Sequence, residues 1–174
     1  IRDSVGCRGL GDVYKRQAMV DGIATAAGCQ LISSCDLAYS SSRAKYATPG
    51  VNIGLFCSTP MVPLSRTVGK KQAMEMLLTG DLIDANKALR IGLINDVFEE
   101  DSLKENVFQI AKKISSKSSN TIKIGKEAFY KQKDMNLEDA YTFTSKVMTE
   151  NMLHDDSKEG IDAFLEKREP NWNE

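Results

Sequence analysis

Residues 22–36, Gly22-Ile-Ala-Thr-Ala-Ala-Gly-Cys-Gln-Leu-Ile-Ser-Ser-Cys-Asp36, decide the fold. Small side chains crowd a turn that runs directly into an apolar helix. Such a turn lets a ligand oxygen approach backbone N–H groups at a helix N-terminus, where the partial positive charge favours an anion. Before it, Ala18-Met-Val20 reads as the end of a buried strand, with Asp21-Gly22 as the turn. After it, a helix is expected from Ala26 through Cys35, then a strand at Leu37–Ser40 and a loop at Ser40–Arg43. A third strand at Lys45–Ala47 is stopped by Thr48-Pro49-Gly50. Strands alternating with helices predict an α/β fold with a mostly parallel sheet.

The second half changes character. Met74, Met76, Leu77 and Leu78 recur at helical spacing between Lys70 and Thr79, and Gly80 is placed to terminate that helix. Asp84 can cap a helix ending at Arg90, with Gly92 following, and Leu93–Phe98 reads as a strand. Four helices are then expected, at Ser102–Ser115, Thr121–Lys131, Leu137–Leu153 and Ser157–Lys167. Val107, Ile110, Ala111 and Ile114 form the buried stripe of the first. Residues 18–98 are thus expected to belong to an α/β core and 99–174 to a C-terminal helical region.

The chain has 174 residues, 41% hydrophobic and 27% charged, with a net charge of -1, which suits a globular domain and gives no basic stripe for a nucleic-acid partner. Lys112, Lys113 and Lys117 read as a solvated helix face. No apolar run is long enough to span a membrane. The four cysteines, Cys7, Cys29, Cys35 and Cys57, form no Cys-x-x-Cys pair, and the single histidine, His154, is remote from them, so no metal site is expected. Reduced thiols in an intracellular compartment are expected, with Cys29 and Cys35 buried. Residues 1–17, IRDSVGCRGLGDVYKRQ, carry neither helical nor strand periodicity and abut Ala18 without turn chemistry. They look like a translated sequencing-adapter remnant, non-native to the chain, and Ala18 is then expected to lie inside a longer natural protein.

Several motifs in order carry a resemblance. They are Asp21-Gly22-Ile-Ala-Thr-Ala26-Ala27-Gly28-Cys-Gln30-Leu31, Cys35-Asp-Leu-Ala38, Tyr46-Ala-Thr-Pro49, Ala73-Met-Glu-Met-Leu-Leu-Thr-Gly80, Ala88-Leu-Arg-Ile-Gly-Leu93 and Gly160-Ile-Asp-Ala-Phe164-Leu-Glu-Lys167-Arg168. Together they resemble the crotonase (enoyl-CoA hydratase/isomerase) superfamily. Ala24–Gln30, Thr48–Asn52 and Gly54–Pro60 are similar to a narrower mitochondrial branch of it, without excluding a bacterial relative. The resemblance implies a ClpP/crotonase-like superhelix of β-β-α units with a C-terminal helical trimerisation region. It implies a homotrimer or hexamer, an acyl-CoA partner and no cofactor beyond the coenzyme A carried by the substrate. The implied location is mitochondrial in a eukaryote and cytoplasmic in a bacterium.

The resemblance also assigns residues. Ala27, flanked by Ala26 and Gly28, would offer its N–H to a thioester oxyanion, the second donor lying upstream of Ala18; an oxyanion hole needs two such donors. Small residues there also fit the plainer purpose of close helix–strand packing. Gln30 and Gly50 stand where the hydratases of the family carry two glutamates. An amide orients a water or a carbonyl but accepts no proton near neutral pH, and glycine has no side chain. Pro49 precedes the second position, with Thr48, Asn52, Cys57 and Ser58 as nearby polar groups. Asp36 fits a structural acid at a helix end. Phe164 and Lys167 fit the positions that contact the adenine and phosphates of the coenzyme A bound by a neighbouring subunit, or else serve helix packing and solvation. Three readings follow: an acyl-CoA binder or regulatory subunit without turnover, an acyl-CoA enzyme with its base upstream, and an ordinary enoyl-CoA hydratase. On the first, Gln30→Glu with Gly50→Glu is expected to raise hydration.

Overall fold

The structure is a computed structural model that describes residues 17–172. The expected segment 1–17 lies outside these residues except for Gln17, which opens the first strand. The described residues form two compact units, 17–111 and 112–172. The division falls inside a helix, whereas the expected boundary at 98/99 coincides with a strand end.

In the first unit the first four strands alternate between two sheets. Strand β1 (Gln17–Val20) is followed by β2 (Ile23–Thr25) and helix α1 (Ala27–Ser33), then by β3 (Leu37–Ser41) and β4 (Lys45–Ala47). Each turn places one strand in each of two sheets: β1 pairs with β3 in parallel, Ala18 opposite Ala38, and β2 with β4, Ala24 opposite Tyr46. β6 (Asp96–Phe98) joins β3 in parallel, and β5 (Ile83–Asp84) joins β4 antiparallel. The mostly parallel arrangement expected is present, in two sheets of three strands rather than one. Between β4 and β5 lie a 3-10 helix (Pro49–Ile53), α2 (Ser58–Thr67) and α3 (Lys70–Thr79), and α4 (Ala85–Arg90) follows β5.

Local chemistry sets several of these boundaries. Gly80 ends α3 in the left-handed conformation, φ 66°, and Asp84 accepts from the Lys87 N–H at 2.7 Å to cap α4. The expected α1 is shorter at its C-terminal end, because Ser34 N–H turns back to Gln30 and Leu31 carbonyls and Cys35 N–H to Ile32. Cys35, expected buried, is half-exposed. Of the expected strand 93–98 only Asp96–Phe98 pairs, while Leu93 and Ile94 turn into the core at 2% and 4% exposure. That core joins Cys29 and Ile32 of α1, Tyr46 of β4, Leu64 of α2 and Met76 and Leu77 of α3. The Tyr46 hydroxyl donates to Ser40 Oγ at 2.8 Å, satisfying a phenol that is fully buried; burial pushes its pKa up to about 12. A smaller cluster of Tyr39, Leu103 and Val107 seats α5 (Glu100–Ser115).

The second unit is helical: the end of α5, then α6 (Ser119–Gln132), α7 (Leu137–Met152) and α8 (Asp155–Glu166). Ser118 and Asn136 cap α6 and α7, accepting from the Thr121 and Asp139 N–H groups. His154, expected as a surface residue in a polar turn, is exposed and caps α8 through Nδ1. Ser118 Oγ donates to Asp156 Oδ2 at 2.5 Å, a buried bond that ties the start of α6 to the start of α8.

Candidate functional site

Ala26 is the residue before α1, and it holds φ 46°, ψ -109°. This is the first central position of a type II′ turn, where a Cβ is strained and glycine is preferred. The surrounding chain imposes it. Ala26 N–H donates to the Ala47 carbonyl at 3.0 Å, prolonging the β2–β4 ladder by one bond, and Ala26 C=O accepts from Gln30 N–H at 2.9 Å to close the first helical turn. The strain falls on Ala26 and not on Ala27, which has ordinary negative φ. Alanine therefore serves at 27 without backbone cost. Ala26→Gly is expected to raise stability by about 1 kcal/mol: relief of strain exceeds the added freedom of the unfolded chain. A thermal midpoint that stays level or falls would show that the turn stores no strain.

The consequence for chemistry lies in the first turn of α1. Helix geometry leaves its leading N–H groups without intrahelical partners. Ala26 has no side-chain oxygen, and no side-chain cap is made. Ala27 is exposed, Gly28 and Gln30 half-buried. A Cβ added at Gly28 would meet Ala24 Cβ at 3.6 Å, an ordinary contact, so tight packing does not account for glycine there. Gln30 follows one turn after Ala27, and its side-chain amide has no hydrogen-bond partner among the described residues.

The Ala26–Ala47 bond also brings the second predicted position near, because Thr48, Pro49 and Gly50 follow Ala47 directly. Thr48 is fully buried, and its Oγ1 has no partner among the described residues. Pro49 opens the 3-10 helix, where a missing N–H costs nothing. Gly50 is enclosed by its own loop. Its N–H donates to Cys57 Sγ at 3.3 Å and its carbonyl accepts from Leu55 N–H at 3.0 Å. A Cβ at position 50 would lie 2.6 Å from the Leu55 carbonyl oxygen and 2.9 Å from Cys57 Sγ. Position 50 thus has no room for the first atom of a side chain, which argues against the expectation that glutamates restored at 30 and 50 would raise hydration. Cys57 was among the polar candidates; the Leu55 carbonyl, a backbone atom, leaves no mark in the sequence.

Cys29 lies beneath this turn, fully buried, with burial pushing its thiol up to about 11, so it is a packing group and not a nucleophile. Among the described residues no cluster of His, Cys, Asp or Glu could hold a metal. A cavity of about 270 Å³ lined by Glu75, Thr79, Asp81, Asp84, Lys87 and Arg90 contains none of the predicted site residues.

The remaining predicted contacts are in the second unit. Phe164, near the end of α8, is 83% exposed. Lys167 ends α8 in the left-handed conformation, φ 55°, ψ 41°, where glycine is usual. Its N–H donates to the Phe164 carbonyl at 3.3 Å and Arg168 N–H to the Ala163 carbonyl at 3.0 Å, the two bonds of a Schellman motif. A lysine held there costs about 1 kcal/mol relative to glycine. Glu159 and Arg168, which no helical spacing rule pairs, were not singled out by the sequence. Arg168 donates to both Glu159 oxygens, at 2.6 and 3.0 Å. The guanidinium and the Asn171 N–H hold the Glu159 carboxyl down to about 2. The contact is therefore present above the ordinary carboxylate range and is lost only as pH falls through about 2.

The fold and these motifs agree with known proteins. The pattern of the enoyl-CoA hydratase/isomerase family matches residues 17–174. Mouse enoyl-CoA hydratase domain-containing protein 3, named as mitochondrial, is 53% identical over 156 residues, 90% of this chain and 52% of that one. The crystal structure of human enoyl-CoA hydratase domain-containing protein 3 superposes with a TM-score of 0.87 at 52% identity, over 90% of this chain and 62% of that one. An enoyl-CoA hydratase from Mycobacterium smegmatis gives 0.87 at 46% identity, over 90% and 61%. The chain spans about half the length of the curated relatives it matches. With strands alternating between two sheets and C-terminal helices, this chain has the crotonase fold and belongs to the enoyl-CoA hydratase/isomerase family.

Proposed function

We propose that the chain binds an acyl-CoA thioester and polarises its carbonyl through the Ala27 N–H, without the paired carboxylates that add water to an enoyl thioester. The observation that carries this is the uncapped first turn of α1, opened by a strained Ala26 that is tied to the end of β4. An oxyanion is stabilised by N–H donors fixed before it forms, and a turn bonded on both sides of Ala26 is fixed. Gln30 supplies an amide beside it, able to orient a carbonyl or a water but not to take a proton. The space above Gly50 is filled by Leu55 and Cys57. Phe164 and Lys167 would meet the nucleotide end of a coenzyme A held by a neighbouring subunit, aromatic face to base and ammonium to phosphate.

Self-association suits the second unit. Leu137, Tyr141, Met148 and Met152 follow one another at helical spacing along α7 and are each more than 60% exposed, and a trimer or hexamer would cover them. The names of the relatives support a mitochondrial location for a eukaryotic source. A second reading is an active hydratase or isomerase whose base comes from outside the described residues. The Mycobacterium smegmatis relative, described as an enoyl-CoA hydratase, favours it.

Calorimetric titration of the intact protein with acetyl-CoA and crotonyl-CoA, with loss of enoyl-thioester absorbance followed in parallel, separates these readings. Saturable binding of both without absorbance loss is the expected result. Steady hydration would assign the proton to another group and favour the second reading, and absence of binding would remove the proposal.

A further inference from the structure

We propose that Arg168 and Glu159 are positioning residues for the nucleotide end of the ligand: Arg168 occupies two of the three acids near Lys167 in the chain, Glu159 and Glu166, and leaves the lysine ammonium for a phosphate. This rests on the acyl-CoA reading above. Lys167 follows Glu166 and precedes Arg168 and Glu169, with Glu159 two helical turns back along α8. Left alone, such acids would neutralise a lysine. Arg168 takes two of them. Its Nη1 and Nη2 donate to Glu159 and its Nε donates to Glu166 Oε2 at 2.6 Å. Lys167 has no ion-pair partner among the described residues.

The same contacts hold the backbone. Asn171 N–H donates to Glu159 Oε1 at 2.7 Å, and Trp172 Nε1 donates to the Ser116 carbonyl at 2.8 Å. The Trp172 ring lies against Gly160, 3.2 Å from where a Cβ would be. Residues 168–172 therefore double back along α8, and the reversal at Lys167 is held from both of its sides. A planar guanidinium fork fits this task better than a second lysine would, because it binds two carboxylates in fixed geometry. Phe164, one turn before Lys167 and largely exposed, shares the held segment.

The test compares two ligands with the intact protein: acetyl-CoA, which carries the nucleotide, and acetyl-pantetheine, which lacks it. Arg168→Gln frees Glu159 and Glu166 to pair with Lys167. It is expected to weaken acetyl-CoA about tenfold, the loss of one charge-assisted contact, while acetyl-pantetheine binds as before. Should circular dichroism show that this variant does not fold, Arg168→Lys carries the same comparison, since one ammonium cannot hold both carboxylates as the guanidinium fork does and so releases an acid to Lys167. An unchanged affinity for acetyl-CoA would overturn the inference and leave the thioester reading standing. Equal weakening of both ligands would also overturn it, since that is the mark of a general structural role. Failure of the unsubstituted protein to bind either ligand would overturn the thioester reading and this inference with it.

Discussion

Gly50→Glu, alone or combined with Gln30→Glu, is expected to destabilise the protein by about 3 kcal/mol and to give no gain in enoyl-CoA hydration. The cost comes from the first atom added. A Cβ at position 50 lies 2.6 Å from a backbone carbonyl, and backbone cannot rotate away as the end of a flexible side chain can. Relief requires moving Leu55 and Cys57, and that breaks the Leu55 N–H bond to the Gly50 carbonyl and the Gly50 N–H contact to Cys57 Sγ. Cys57 also begins α2, accepting from Met61 N–H through its carbonyl, so the disturbance reaches that helix. Gln30→Glu alone is the control: position 30 is half-buried and its amide is unpartnered among the described residues, so the change stays within about 1 kcal/mol. Chemical denaturation of the two single variants and the double variant measures this directly. A double variant as stable as the parent, with new hydration, would mean that the 55–57 segment yields freely and that only side chains were missing.

The sequence made one part of this site legible and concealed the other, for physical reasons. Ala26, Ala27 and Gly28 are readable because small residues before an apolar helix have few structural uses, and Gly80 and Asp84 because caps obey local rules. The alternation of strands between two sheets is less visible. β2 is three residues long and sits inside the small-residue run, and β5 has two residues; each exists because β4 lies beside it and not through its own propensity. The closure over Gly50 is made by a carbonyl, a group every residue has, so nothing in the identity of Leu55 announces it. The grip of Arg168 on Glu159 depends on a chain reversal at a lysine, a residue that spacing rules treat as helix-compatible.

The least legible element, α2, is also the one whose loss would cost most. Ser58–Thr67 contains Pro60 and Pro63, and the sequence reading places no element there. Pro60 falls in the first turn, where its absent N–H is harmless, but Pro63 removes one helical bond and would disfavour an isolated helix by about 3 kcal/mol. Burial of Leu64 offsets this. Leu64 is fully buried and shares a cluster with Cys29 and Ile32 on the inner side of α1, the helix that presents Ala27 and Gln30. Thr67 Oγ1 donates to the Ser33 carbonyl at 3.0 Å, fastening the far ends of the two helices. Leu64→Ala should therefore cost about 3 kcal/mol, since a fully enclosed leucine leaves a cavity that neighbours held by two helices cannot collapse into. For a chain of this size that lowers the thermal midpoint by about 9 °C. Val62→Ala, two residues earlier on the exposed side of the same helix, should change stability by less than about 0.5 kcal/mol. The site should respond as well: with α1 no longer backed, acyl-CoA affinity falls in Leu64→Ala and not in Val62→Ala. Equal stability of the two variants would show that α2 is held by its ends alone, and that the turn at Ala26 keeps its geometry without the packing beneath it.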